Sequence, residues 1–93
     1  MRRIHFKAEG IVQGVGYRYF ARHTARRLNL TGWVANRPDG SVEGEAEGED
    51  DAVEKFAENL KRRCPGAAVR NFEITDLPVL KSTDENDFEI RYY

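Results

Sequence analysis

Gly10-Ile11-Val12-Gln13-Gly14-Val15-Gly16-Tyr17-Arg18 places three glycines within seven residues, a density that suits a segment whose backbone has a task of its own. Glycine opens positive φ and lets the main chain approach a ligand closely. An alternating apolar segment precedes this run and a helical pattern follows it. The glycines therefore fall on a strand-to-helix connection, where free N–H groups and the helix dipole favour an anion. Arg18 arrives in the first helical turn and adds a planar, permanently charged fork. On their own, Gly10, Gly14 and Gly16 suit a tight turn equally well, with Arg18 a solvated helix residue. The run is neither G-x-x-x-x-G-K-[ST] nor G-x-G-x-x-G, so it adds nothing to a nucleotide-binding reading.

Residues 3–9 put Ile4, Phe6 and Ala8 on one face and Arg3, His5, Lys7 and Glu9 on the other, the pattern of a strand with one wet face. From Tyr17 to Leu28, Phe20, Ala21, Thr24, Ala25 and Leu28 follow helical spacing, with Arg22, Arg26 and Arg27 opposite as solvated surface. Thr31 to Asn36 reads as a second strand, Arg37-Pro38-Asp39-Gly40 as a turn, and Ser41 to about Glu47 as the return strand, its glutamates facing water. Glu49, Asp50 and Asp51 open a second helix with Val53, Phe56, Ala57 and Leu60 inward, and Lys61, Arg62 and Arg63 close it. Val69 to Ile74 forms a fourth strand. Phe88, Ile90 and Tyr92 alternate with Glu89, Arg91 and Tyr93 in a last one, after a polar excursion from Ser82 to Asp87.

This order, βαββαβ plus a C-terminal strand, predicts an α+β ferredoxin-like sandwich, an antiparallel sheet covered on one face by two helices. Right-handed crossovers then make the first two strands parallel with the third between them. The glycine loop and Asn36 fall at the same end of the sheet.

Ninety-three residues make a single domain, 1–93, with one modest core. Net charge is −1, yet residues 1–37 hold eight Lys or Arg against the one acid Glu9, while residues 38–93 hold seven bases and fifteen acids. The N-terminal part is a local anion attractor in a nearly neutral protein, which lacks the excess base of a nucleic-acid binder. One cysteine excludes an internal disulfide framework, and the absence of a leader or an 18-residue apolar run points to the cytoplasm and away from membranes. Cys64, before Pro65, reads as an inert structural thiol, and His5 and His23 as surface residues without a metal site.

Val12-Gln13-Gly14-Val15-Gly16-Tyr17-Arg18 together with Gly32-Trp33-Val34-Ala35-Asn36-Arg37-Pro38-Asp39-Gly40-Ser41-Val42-Glu43 closely resembles the acylphosphatase family, with its V-Q-G-V-x-[FY]-R loop and G-W-V-x-N-x-x-D-G-x-V-E hairpin. The resemblance implies a cofactor-independent and metal-free hydrolase that converts acyl phosphates to a carboxylate and inorganic phosphate, the latter also an inhibitor. It assigns phosphate binding to Arg18, water positioning to Asn36, and a phosphoryl cradle to the backbone of Gln13, Gly14, Val15, Gly16 and Tyr17. Without the first signature, Asn36 would read as a turn-flanking residue, and Trp33 reads as a large side chain packed on the sheet. A monomer is expected, and the Tyr93 carboxylate is expected near Arg18.

The alternative is a non-catalytic ferredoxin-like module that binds phosphate or RNA, since this fold hosts RNA-recognition domains. An RNA reading requires an aromatic motif such as [KR]-G-[FY]-[GA]-F-V-x-[FY], which the sequence does not contain. A domain appended to a larger carbamoyl-transferring maturation protein is disfavoured by a chain that ends at Tyr93 without a linker.

Overall fold

The computed structural model describes residues 1–80 and 87–92. The chain forms β1 (Arg2–Ile11), α1 (Tyr17–Arg27), β2 (Thr31–Asn36), β3 (Val42–Gly48), α2 (Asp50–Arg62), β4 (Ala68–Leu77) and β5 (Phe88–Arg91). The sheet order is β4-β1-β3-β2-β5. Strand β3 pairs antiparallel with both β1 and β2, so these two run parallel, as the crossover argument requires. One pairing departs from the expected antiparallel sheet, because β5 lies parallel to β2. Strand β4 ends beside Arg3, at the end of the sheet where β2 begins. The chain therefore enters β5 from that end and must run in the direction of β2.

Both helices cover the face that carries Ile4, Phe6, Ala8, Val34, Val42 and Ala46, all fully buried. The phenyl rings knit the layers: Phe6 meets Phe56 edge-on at 5.4 Å and stacks on Phe72 at 6.0 Å, while Phe56 lies 5.6 Å from Phe88. Burying each such side chain is worth roughly 1.5–3 kcal/mol, which is why period-2 and period-3.6 patterns suffice to select these faces. Gly44 makes room for this cluster, since a Cβ there would strike the Trp33 carbonyl and the tip of the Phe6 ring.

The opposite face is an ion-pair lattice. Arg3 pairs with Glu45 at 2.7 Å and Glu47 at 3.5 Å and Arg37 with Glu43 at 2.7 Å, while His5 Nε2 lies within hydrogen-bond distance of Glu43, 2.9 Å. The expectation that these groups simply face water fails at Arg3 and Glu47, whose side chains are each only 5% exposed. The Leu80 N–H donates to Glu47 Oε1 at 2.9 Å, so chain beyond β4 folds back across this face and closes over the pair. Nothing in the strand pattern announces that return.

Candidate active site

Strand β1 delivers the chain to residues 12–16, and three apolar side chains fix their course. Val12 and Tyr17 are buried and Val15 packs against the core. The Tyr17 hydroxyl donates to the Leu60 carbonyl at 2.8 Å, and burial pushes its pKa up. The start of α1 is thus tied to the end of α2. With the apolar side chains committed inward, Gly14 and Gly16 turn outward at φ 76° and 79°, the left-handed region that glycine tolerates. Gly10 belongs elsewhere: it lies within β1 at a register shift against β4, where a Cβ would collide with the Ala68 carbonyl. It shapes the strand and is not part of the loop.

Gly16 is the N-cap of α1, with no side-chain cap and no acid in the first turn. The first intrahelical bond is Phe20 N–H to the Gly16 carbonyl, 3.0 Å. The N–H groups ahead of it are left to an external acceptor at the positive end of the helix dipole. Arg18, half-buried, projects from this turn with its guanidinium 5.0 Å from the centre of the Tyr92 ring.

Asn36 ends β2 opposite Val42, on the same face as Val34. Its Oδ1 is buried and has no hydrogen-bond partner among the described residues. Such a group costs free energy unless a donor meets it, so its position marks a place where a polar hydrogen is wanted. Gln13 couples this residue to the loop. Its Nε2 donates to the carbonyls of Arg37 (2.8 Å) and Ser41 (2.9 Å), bracketing the hairpin that follows Asn36. The hairpin is closed by Arg37 N–H to the Ser41 carbonyl, 2.8 Å. Asp39 accepts from the Ser41 N–H at 2.9 Å and hydroxyl at 2.6 Å and pairs with Lys7 at 3.2 Å. The Ser41 bonds and Lys7 hold its carboxyl well below the usual carboxylate range.

The structure therefore brings the Gly14–Tyr17 backbone, Arg18 and Asn36 to one end of the sheet. Cys64 is buried, with its thiol pKa raised by desolvation. His23 is exposed. The expectation for the Tyr93 carboxylate, and most of the Ser82–Asp87 excursion, lie outside the described residues. Two features were not foreseen: the Gln13 side-chain brace and the aromatic neighbours of Arg18. The latter had a trace in the sequence, as Tyr19 directly follows Arg18.

A ferredoxin-like sandwich whose first helix starts with an arginine and no side-chain cap, at the end of the sheet where Asn36 Oδ1 has no partner among the described residues, defines the class, an α+β domain with a helix start suited to an anion. The acylphosphatase family profile matches residues 4–90. An acylphosphatase of Geobacillus thermodenitrificans is 44% identical over 92 residues, spanning 99% of this chain and 96% of that one. Another, of Thermotoga maritima, is 40% identical over 95 residues and matches along the whole of both chains. The crystal structure of acylphosphatase from Bacillus subtilis superimposes with a TM-score of 0.91 at 38% identity, covering 99% of this chain and 100% of that chain. The chain belongs to the acylphosphatase family, and its activity is the hydrolysis of acyl phosphates. Among the described residues, no helix is long and apolar enough to cross a membrane.

Proposed function

We propose that Arg18 and the backbone N–H groups of Gln13, Gly14, Val15, Gly16 and Tyr17 bind the phosphoryl group, and that Asn36 orients the attacking water. The carrying observation is the Oδ1 of Asn36, buried and without a partner among the described residues, at the end of the sheet that holds the loop. An acyl phosphate is a mixed anhydride. Water oxygen bonds to phosphorus, the phosphorus–acyl oxygen bond breaks, and its electron pair leaves on a carboxylate. That leaving group is the conjugate base of an acid with a pKa near ~4, so it departs without a proton donor. The demand on the protein is charge stabilisation and alignment. Arg18 and the loop supply the first through donors aimed at the phosphoryl oxygens. Asn36 supplies the second by accepting a water hydrogen; a carboxamide is too weak a base to take the proton, which leaves with the products. This chemistry calls for no metal, cofactor or nucleophilic thiol.

The same reading makes residues 1–93 one domain, acting as a cytoplasmic monomer on small molecules, with inorganic phosphate as product and inhibitor. Nucleic acid is not a partner in it: the sheet face away from the helices carries ion pairs such as Arg3–Glu45 and Arg37–Glu43, and the Arg91 guanidinium already lies over its Trp33 ring at 5.1 Å. The test is benzoyl phosphate hydrolysis by the parent, Arg18→Ala and Asn36→Ala, with folding followed by circular dichroism. Each substitution is expected to lower turnover about a hundredfold or more. Arg18→Ala is also expected to lose inhibition by phosphate. Near-parental rates in both folded variants would refute the assignment.

A further inference from the structure

Two large aromatic residues, Tyr92 against the Arg18 guanidinium and Tyr19 next to Arg18 in α1, remain open to solvent, Tyr19 at 54% and Tyr92 at 70% exposure. They are not randomly placed. The Tyr92 ring lies under the Arg18 guanidinium at 5.0 Å, and the Tyr19 ring under that of Arg22 at 5.3 Å. Tyr92 stands one residue beyond the Ala35–Arg91 pair, at the level of Asn36 on the neighbouring strand. Guanidinium contact restricts both rings, so a flat surface is held ready at small entropic cost.

We propose that Tyr92 and Tyr19 form the shelf on which the acyl group of the substrate rests, making the enzyme selective for acyl phosphates with planar or apolar acyl groups. The proposal rests on Arg18 binding the phosphoryl group. With the phosphoryl oxygens held by the loop and Arg18, the acyl group extends from that point across whatever surface adjoins Arg18. The adjoining surface is aromatic, it keeps much of its area open, and ring-on-ring or alkyl-on-ring contact there removes apolar area from water on both sides. A small acyl group such as acetyl is too short to cover it.

The selectivity ratio, kcat/KM for benzoyl phosphate over kcat/KM for acetyl phosphate, tests this in Tyr92→Ala, Tyr19→Ala and Tyr92→Phe. Any loosening of Arg18 slows both substrates and cancels in the ratio. Each alanine variant is expected to lower the ratio about fivefold, the size of one aromatic contact, and Tyr92→Phe to keep it within about twofold. A ratio unchanged in both alanine variants, or lost in Tyr92→Phe as fully as in Tyr92→Ala, overturns the shelf. Those outcomes leave the phosphoryl site standing, because its own failure would be read from Arg18→Ala and Asn36→Ala.

Discussion

Gln13 is the residue whose change best separates positioning from chemistry. Its amide donates to two carbonyls of the hairpin and touches neither Arg18 nor Asn36 through those bonds. Gln13→Ala is expected to cost about 1–3 kcal/mol in urea unfolding, two hydrogen bonds lost with two carbonyls left to find water. It should also lower kcat severalfold by freeing the hairpin that carries Asn36. Gln13→Glu should be worse on both counts, because a carboxylate cannot donate to a carbonyl and sets negative charge beside a phosphoryl site. An activity loss in Gln13→Ala without any loss of stability would refute the bracing role. That Arg18 and Asn36 come to one end of the sheet was legible in the sequence, because the strand and helix order around them sets it. The brace was not, since the direction of a loop side chain depends on backbone angles set by the glycines around it.

At the level of elements, the periodic signals were sufficient wherever one face is buried. Both helices and the first three strands fall close to the residues that period and turn chemistry select. Strand β4 runs from Ala68 to Leu77, longer than the Val69–Ile74 reading, because pairing with β1 continues through Thr75 and Asp76, where no apolar alternation reveals a strand. The direction of β5 and the burial of Arg3 with Glu47 follow from where the chain goes after β4, a long-range fact with no local imprint. Gly44 is a similar case. Its lack of a side chain looks like weakness in a strand, yet the gap admits the Phe6 ring. Gly44→Ala should therefore destabilise by about 1–3 kcal/mol through overpacking. Thermal unfolding would check this, and a melting point equal to the parent's would refute the overpacking.

Across the whole molecule, the basic N-terminal part is largely neutralised by the acidic remainder. Arg2 meets Asp76, Arg3 meets Glu45 and Glu47, Lys7 meets Asp39, Arg26 meets Asp87, and Arg37 meets Glu43. Among the described residues Arg18, Arg22 and Arg27 have no such acidic partner. Two of these three stand in the first half of α1, which also opens without an acid or a cap. Among the described residues, pairing thus leaves the start of α1 as the least neutralised part of the basic region. That spot has a thermodynamic corollary. Among the described residues no acid or side-chain cap meets the positive pole of α1, so an oxyanion that settles there is stabilised by it. Under the proposed role of Arg18, inorganic phosphate at a hundred times its dissociation constant should add about 2.7 kcal/mol to folding stability, visible as a rise in melting temperature that Arg18→Ala loses. A melting temperature indifferent to phosphate would contradict it. The product of the reaction is then also a chaperone-like ligand, so that the protein resists unfolding best where the anion it releases is most plentiful.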